Sequence, residues 1–449
     1  MKSLLLLGAG LFWPLWICAQ FDPVIFIDTV FQKTIRQLEV ADINHDGKLD
    51  IIAANKQWPN DHLTYYVQED EETYTRFDIP TADSLRNLEH FAVGEIIPSG
   101  GAELVVAYDF PWKISLFSRQ GDVYQETVID DSLDLTQQVI LADFNQDGWT
   151  DILSLQHVEI VLYLALAPGV FDEGRVIYAG TEFYAIDAGY YNADSLLDVA
   201  VASDGFDILL YQGQNQFSVI ESPHIGLTFH LQSADLDRDG DTDIAAYEAL
   251  RGILFYSNDG EGHFTLQDTI LASSDVFDAY VLSDMDCDED VDVYTSVAQP
   301  GWVIWIENDG QGHFPVYHEL HFQAGELIRA VALGDLDANG STDPVWGNKI
   351  LGARLNRCMP VGVSDARGDL MRFRICPNPA ASNIHMLNET DMSLTCQVFD
   401  LTGRPVSAVF QIDSGETRDI EMADSGLYVV RIQDEYGMTE TRKAVVAGR

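Results

Sequence analysis

One acidic string of eleven residues returns along the chain at intervals of about fifty, and this period constrains the fold more than any other feature. ADINHDGKLDI (41–51) recurs as ADFNQDGWTDI (142–152), ADLDRDGDTDI (234–244), SDMDCDEDVDV (283–293) and GDLDANGSTDP (334–344). Two eroded copies fill the gaps, GEIIPSGGAEL (94–104) and GYYNADSLLDV (189–199). The closing acidic residues Asp50, Glu103, Asp151, Asp198, Asp243, Asp292 and Asp343 are spaced by 53, 48, 47, 45, 49 and 51 residues. A unit of this length accommodates four short strands, the size of one propeller blade. The expected fold is all-β: a seven-bladed β-propeller over residues 20–357.

The fifth unit shows the strand pattern. Phe229 to Ala234 leads into the acidic loop, Ile244 to Tyr247 leaves it, and Ile253 to Tyr256 forms a third strand. The turn Asn258-Asp259-Gly260-Glu261-Gly262 has hairpin chemistry, and a fourth strand starts at His263-Phe264. Unit seven has a third strand near Ile350–Leu355 but no fourth. The segment Phe21–Ile27 resembles the missing strand, and pairing the two would remove exposed sheet edges.

The loop pattern D-x-[DN]-x-[DN]-G-x-x-D places oxygens where a divalent ion needs them. The first position holds Asp42, Asp143, Asp235, Asp284 and Asp335. Asn44, Asn145, Asp237, Asp286 and Asp337 hold the third, and Asp46, Asp147, Asp239, Asp288 and Asn339 the fifth. At the seventh, Lys48, Trp149, Asp241, Asp290 and Ser341 offer a backbone carbonyl, and Asp50, Asp151, Asp243, Asp292 and Asp343 close the set. Glycine suits the sharp turn at the sixth position, where unit six has Glu289 instead. Hard oxygens without His or Cys favour Ca²⁺ over zinc or copper, with about five structural ions expected. The competing reading is an acidic turn that uses Asp and Gly for turn chemistry alone. Unit four keeps Asn192, Asp194 and Asp198 but begins with Tyr190, and unit two has Ile97 and Ser99 where ligands would stand.

These loops and their flanking strands resemble FG-GAP/VCBS repeats, whose relatives include the seven-bladed head of integrin α-subunits. The resemblance spans Gln20 to about Asn356. It implies metal sites between the first and second strands of a blade and partners bound on the opposite face.

The ends have their own signatures. Lys2, an apolar stretch and the small residues before Gln20 predict a signal peptide over residues 1–19. Ile17 argues against Cys18 as a lipid anchor. Residues 358–371 read as a linker. Residues 372–449 predict a small immunoglobulin-like β-sandwich. PNPA (377–380), VFDLTGR (398–404), SGLYVVRI (425–432) and RKAVV (442–446) are similar to the type A sorting domain of the Bacteroidetes type IX secretion system. That similarity implies passage through the periplasm, contact with the type IX machinery, and a secreted or outer-surface product. Cys376 and Cys396 share this domain and are candidates for pairing, with free thiols as the alternative.

A formal charge of -47 repels phosphate backbones, so nucleic acid is excluded as a partner. No other apolar run is long enough for a transmembrane span. No nucleophile elbow, HExxH or phosphate loop occurs. His318 and His321 form H-x-x-H, which on a regular strand divides them between faces. Trp58, Trp112, Phe206 and Trp302 fall in second-to-third-strand connections and form a candidate ligand face, unless they pack between blades. The expected role is a non-enzymatic binding or adhesion module for extracellular glycan or protein. The alternative is a polysaccharide lyase, for which no basic cluster is visible.

Overall fold

The computed structural model describes residues 21–29, 34–56, 62–79, 88–98, 101–109, 112–120, 123–133, 135–221, 226–272, 276–297, 301–322, 327–358, 373–375, 383–388, 393–400, 404, 406–414, 416–421, 426–433 and 439–446. The signal peptide, nearly all of the linker, Trp58 and Cys376 lie outside these residues. The chain divides into two compact units, Met1–Pro360 and Val361–Arg449. Every regular element is a β-strand among the described residues.

The first unit contains seven four-stranded antiparallel sheets. Sheet one runs Thr34–Ala41, Asp50–Lys56, His62–Gln68 and Tyr74–Asp78. Sheet two runs Leu88–Gly94, Glu103–Tyr108, Lys113–Gln120 and Val123–Asp130. Sheet three is Thr136–Ala142, Asp151–Gln156, Glu159–Tyr163 and Arg175–Ala179, with a small hairpin (Ala165–Ala167, Val170–Phe171) before its last strand. Sheet four is Ala185–Gly189, Asp198–Ser203, Gly205–Tyr211 and Phe217–Glu221. Sheet five is Thr228–Ala234, Asp243–Glu248, Gly252–Asn258 and Phe264–Leu271. Sheet six is Val276–Ser283, Asp292–Val297, Trp302–Glu307 and Val316–Phe322.

Sheet seven joins the two ends of the unit. Its strands are Ala330–Gly334, Asp343–Gly347 and Leu351–Ala353, and its outer strand is Ile25–Asp28. Ile25 pairs with Ala353 and Phe26 with Gly352. The expected N-terminal strand is therefore present but shorter, and Phe21 makes only an isolated bridge to Asn356.

Burial explains the sequence of each strand type. Second strands such as Asp243–Glu248 are buried on both faces, since each sheet packs against two neighbours. Their Ile, Ala and Val side chains interleave with those of the adjacent sheets. Fourth strands are the most exposed, as in Tyr74–Asp78, where every residue after Tyr74 faces solvent. The first strand of each sheet packs on the first strand of the next, and that of sheet seven packs on that of sheet one. One shared core holds Ile35, Leu38, Ile51 and Ala53 of sheet one with Ala332, Val345 and Leu351 of sheet seven. Each fully buried Leu or Ile stabilises by roughly 1.5–3 kcal/mol.

The second unit has a three-stranded sheet (Phe373–Ile375, Asn383–Asn388, Thr417–Glu421) and a four-stranded sheet (Phe410–Ile412, Leu394–Asp400, Gly426–Gln433, Thr439–Val446). Ile384 and Met386 from the first meet Val398, Val430 and Ile432 from the second in one core. Cys396 is a buried free thiol here, which rules out its pairing with Cys376. Among the described residues a disulfide joins Cys287 and Cys358.

Candidate metal centres

Each acidic loop connects the first and second strands of its sheet, and its carboxylates are turned inward by the loop's own amides. In loop one Asp42 accepts from Asp46 N at 3.1 Å and Gly47 N at 2.9 Å, and Asp46 accepts from Lys48 N at 2.9 Å. Loop three repeats this with Asp143, Asp147, Gly148 and Trp149. In loop seven Asp335 accepts from Asn339 N and Gly340 N, both at 2.9 Å. The sixth residue is left-handed throughout: Gly47 (φ 85), Gly148 (86), Gly240 (94), Glu289 (73) and Gly340 (92). Glu289 adopts this conformation at a cost that glycine avoids.

The loops differ in how many of their carboxylates converge. Asp235, Asp237 and Asp239 bring carboxylate oxygens within 4.8 Å of one another, as do Asp284, Asp286 and Asp288, and Asp335, Asp337 and Asp343. Loops one and three, with Asn44 and Asn145 at the third position, form no such group among the described residues. In loop six Asp286 is only 3% exposed, and its Oδ1 has no hydrogen-bond partner. Burial pushes its carboxyl up to about 7, and the neighbouring Asp288, Glu307 and Asp284 push the same way. Two arginines reach into these loops: Arg238 pairs with Asp290, and Arg357 pairs with Asp337.

The ninth residue has a second task that the spacing does not reveal. Asp50 accepts from Ile43 N (3.2 Å) and Gln68 N (2.9 Å), and Asp151 from Phe144 N (3.0 Å) and Ala165 N (2.8 Å). Asp198, Asp243, Asp292 and Asp343 repeat the arrangement, each tying its loop to the end of the third strand. All six are fully buried. The carboxyl is raised to about 7 in Asp243 and about 9 in Asp292, chiefly by burial. A carboxylate has about four acceptor sites, so two amides leave room for an ion.

The eroded loops are filled by other means. In unit two Glu103 accepts from Ile96 N and Ile97 N, both at 2.9 Å. Ile97 packs beneath the small hairpin of sheet three with Phe171. A Cβ on Gly169 (φ +70) at that hairpin's tip would stand 3.1 Å from Ile97 Cδ1. In unit four Asp194 holds Leu196 N at 2.9 Å, and Asn192 bridges to Glu261 of the next unit.

Side-chain amides also stitch neighbouring units. Asn258, the first residue of the Asn-Asp-Gly turn, donates to Tyr191 O of the preceding loop at 3.0 Å. Asn308 does the same to Leu236 O and Asn356 to Met285 O, both at 2.8 Å.

The aromatic candidates separate. Trp112 is 45% exposed at its turn. Trp302 starts a strand, half-buried against Phe322 at 6.3 Å. Phe206 does not belong to an exposed face. The turn before it is a single residue, Ser203 pairing with Gly205, so Phe206 lies within the strand. There it is buried against Tyr256 and Phe264. Leu250, 89% exposed at the equivalent turn of sheet five, is a rim residue that the aromatic pattern missed. A register shift also overturns the expected separation of His318 and His321. His318 lies opposite Trp305 and His321 opposite Val303, residues of one packed face. His318 stacks on Trp305 and bonds Glu307 at 2.8 Å, and His321 stacks on Trp346.

Residues 374–447 match the family described as "Secretion system C-terminal sorting domain". This domain marks the protein for secretion through the type IX system to the cell surface or extracellular space. No curated protein matches the chain. A solved structure of an Agrocybe aegerita lectin that recognises non-reducing terminal N-acetylglucosamine is 17% identical, with a TM-score of 0.50 over 66% of this chain and 84% of that one. BBS1N, solved in complex with ARL6DN, is 12% identical, with a TM-score of 0.53 over 76% of this chain and 98% of that one. At these identities the likeness is one of fold. Among the described residues no helix is long and apolar enough to cross a membrane.

Proposed function

We propose that the first unit of this exported protein is a closed, seven-bladed, calcium-loaded β-propeller of FG-GAP/VCBS type, serving as a binding module for extracellular glycan or protein rather than as an enzyme. The observation that carries the metal reading is Asp286. A carboxylate oxygen that is buried, lacks a hydrogen-bond partner and converges with Asp284 and Asp288 calls for a cation. The donors in the five good loops are hard oxygens, which fit Ca²⁺. The packing of first strands from sheet one through sheet seven and back supports the propeller.

The binding role rests on the rim opposite the acidic loops and on the fold shared with a lectin. Trp112 presents an indole there, the surface on which a sugar ring stacks. The decisive experiment is a glycan array with calcium-loaded protein, followed by titration of the best glycan against Trp112→Ala. Specific binding that falls at least tenfold in the variant is expected. A flat array, or release of unsaturated uronates from an acidic polysaccharide, would overturn the reading. For the metal, calorimetric titration of chelator-treated protein should show about five Ca²⁺ per chain, and no uptake would sink it.

A further inference from the structure

Loop six differs from the other acidic loops in being covalently tied at its centre. Cys287 stands between Asp286 and Asp288 in the left-handed conformation (φ 62) and is bonded to Cys358, 71 residues further on. The corresponding residues of the other good loops are His45, Gln146, Arg238 and Ala338, none of which forms a disulfide.

Cys358 belongs to a strap of three consecutive residues laid across loops six and seven. Asn356 donates from Nδ2 to Met285 O of loop six at 2.8 Å, and its backbone N–H goes to Asp343 of loop seven. Its carbonyl accepts from Ser341 Oγ and Asn339 Nδ2, both at 2.8 Å. Arg357 pairs with Asp337 of loop seven, with Asp22 at 2.8 Å and with Glu71 of unit one at 3.1 Å. Cys358 N returns to Asn356 Oδ1 at 3.1 Å, which fixes the direction of the strap before the sulfur bond.

Loop six also lacks the sixth-position glycine, so Glu289 must hold a conformation that L-residues disfavour. The bond at Cys287 adds a covalent restraint to the amide hydrogen bonds that Asp288 N and Glu289 N make to Asp284 within this loop. Held open, the loop keeps the unpartnered Asp286 Oδ1 aimed among Asp284 and Asp288.

We propose that the Cys287–Cys358 bond is a redox latch on the ion of loop six. This rests on the calcium reading of that loop. With the bond intact the loop is preorganised and retains its ion; with the bond reduced it relaxes and loses that ion before the others. The reductant is a dithiol. It supplies two electrons and two protons, the Cys287–Cys358 bond breaks to two thiols, and the dithiol closes its own S–S bond. A disulfide met during export sets the latch by the reverse exchange: the two thiols close to the Cys287–Cys358 bond, and the donor disulfide takes up the two electrons and two protons as it opens to a dithiol.

The test uses the full exported chain, treated with chelator and titrated with Ca²⁺ in three forms: oxidised, Cys358→Ser, and dithiol-reduced. Asp286→Asn, kept oxidised, identifies the loop-six ion. One ion weakened tenfold or more in Cys358→Ser, and the same ion missing from Asp286→Asn, is the expected result. Free-thiol titration, a readout that needs no metal, should count two more reactive thiols per chain after dithiol treatment than before it, and that count should rise in step with loss of the loop-six ion. If Cys358→Ser fails to fold, the dithiol-reduced wild type carries the comparison. Equal calcium affinities with and without the bond overturn the latch while leaving the calcium reading intact. Uniform weakening of every ion also overturns it, since the bond would then act on the whole fold. Absence of calcium binding in the oxidised chain removes both.

Discussion

Gln68 donates from Nε2 to the carbonyl oxygen of Leu336 at 2.8 Å, joining residues 268 positions apart. Gln68 closes the third strand of sheet one, and Leu336 is the second residue of loop seven. The contact is the counterpart of those made by Asn258, Asn308 and Asn356, so sheet one is stitched to sheet seven as the later sheets are to their predecessors. Both groups are almost fully buried.

Gln68→Met keeps the shape and leaves the Leu336 carbonyl without its donor. A buried unsatisfied carbonyl costs about 1–3 kcal/mol. Urea unfolding should show that loss, with the exposed control Gln311→Met staying within about 0.5 kcal/mol of wild type.

Glu289→Gly should raise stability. The residue is exposed and left-handed, and an L-residue there costs about 1–2 kcal/mol that glycine avoids. Greater freedom in the unfolded chain offsets part of this gain, so thermal unfolding should show a net increase of about 0.5–1 kcal/mol. A lower melting temperature would mean that the Glu289 side chain has a stabilising contact of its own.

Chelation should destabilise the first unit. An ion that binds only the folded state adds about 2.7 kcal/mol per site at a hundredfold excess over Kd. The melting temperature should therefore fall in chelator and recover with Ca²⁺, while Asp286→Asn recovers only partly. Equal melting temperatures with and without chelator would rule out structural ions.

The pH dependence carries a signature of Glu39. Burial lifts its carboxyl from an ordinary 4.5 to about 7, and the Gln37 amide, 3.2 Å away, pulls the other way. The folded chain thus keeps a proton that the unfolded chain releases, and stability falls as pH rises from about 4.5 through 7. The effect amounts to at most ~3 kcal/mol. Glu39→Gln abolishes it, so the variant should gain stability relative to wild type between pH 5 and pH 8. The gap between two urea curves measures this, and a gap that does not widen with pH would contradict it. His90 and His230, lowered to about 4 by burial, act with the opposite sign below pH 6.5 in both proteins and cancel.

The period of the acidic string made the seven sheets legible, because the loop residues recur wherever a first strand turns into a second. The inward carboxylates of loops five, six and seven were readable for the same reason. The ninth residue was read only in part. Its amide partners lie at the end of the third strand, and a backbone donor leaves no mark in sequence. Phe206 was misplaced because Gly205, at φ 100, tightens its turn to one residue. His318 and His321 were misplaced because a bulge has no composition of its own. The Cys287–Cys358 pair joins a loop to a strap 71 residues on, and only the stacking of sheets six and seven brings the two together.

Ile25–Asp28 precedes the other described strands of its unit along the chain and is among the last able to find its place, since Leu351–Ala353 leaves the ribosome more than three hundred residues later. Until then the growing chain carries an unsatisfied opening strand and an open edge on its final sheet. Contacts so distant along the chain form slowly. The last sheet of the unit is therefore completed only after Leu351–Ala353 has been made, however early the other six sheets form.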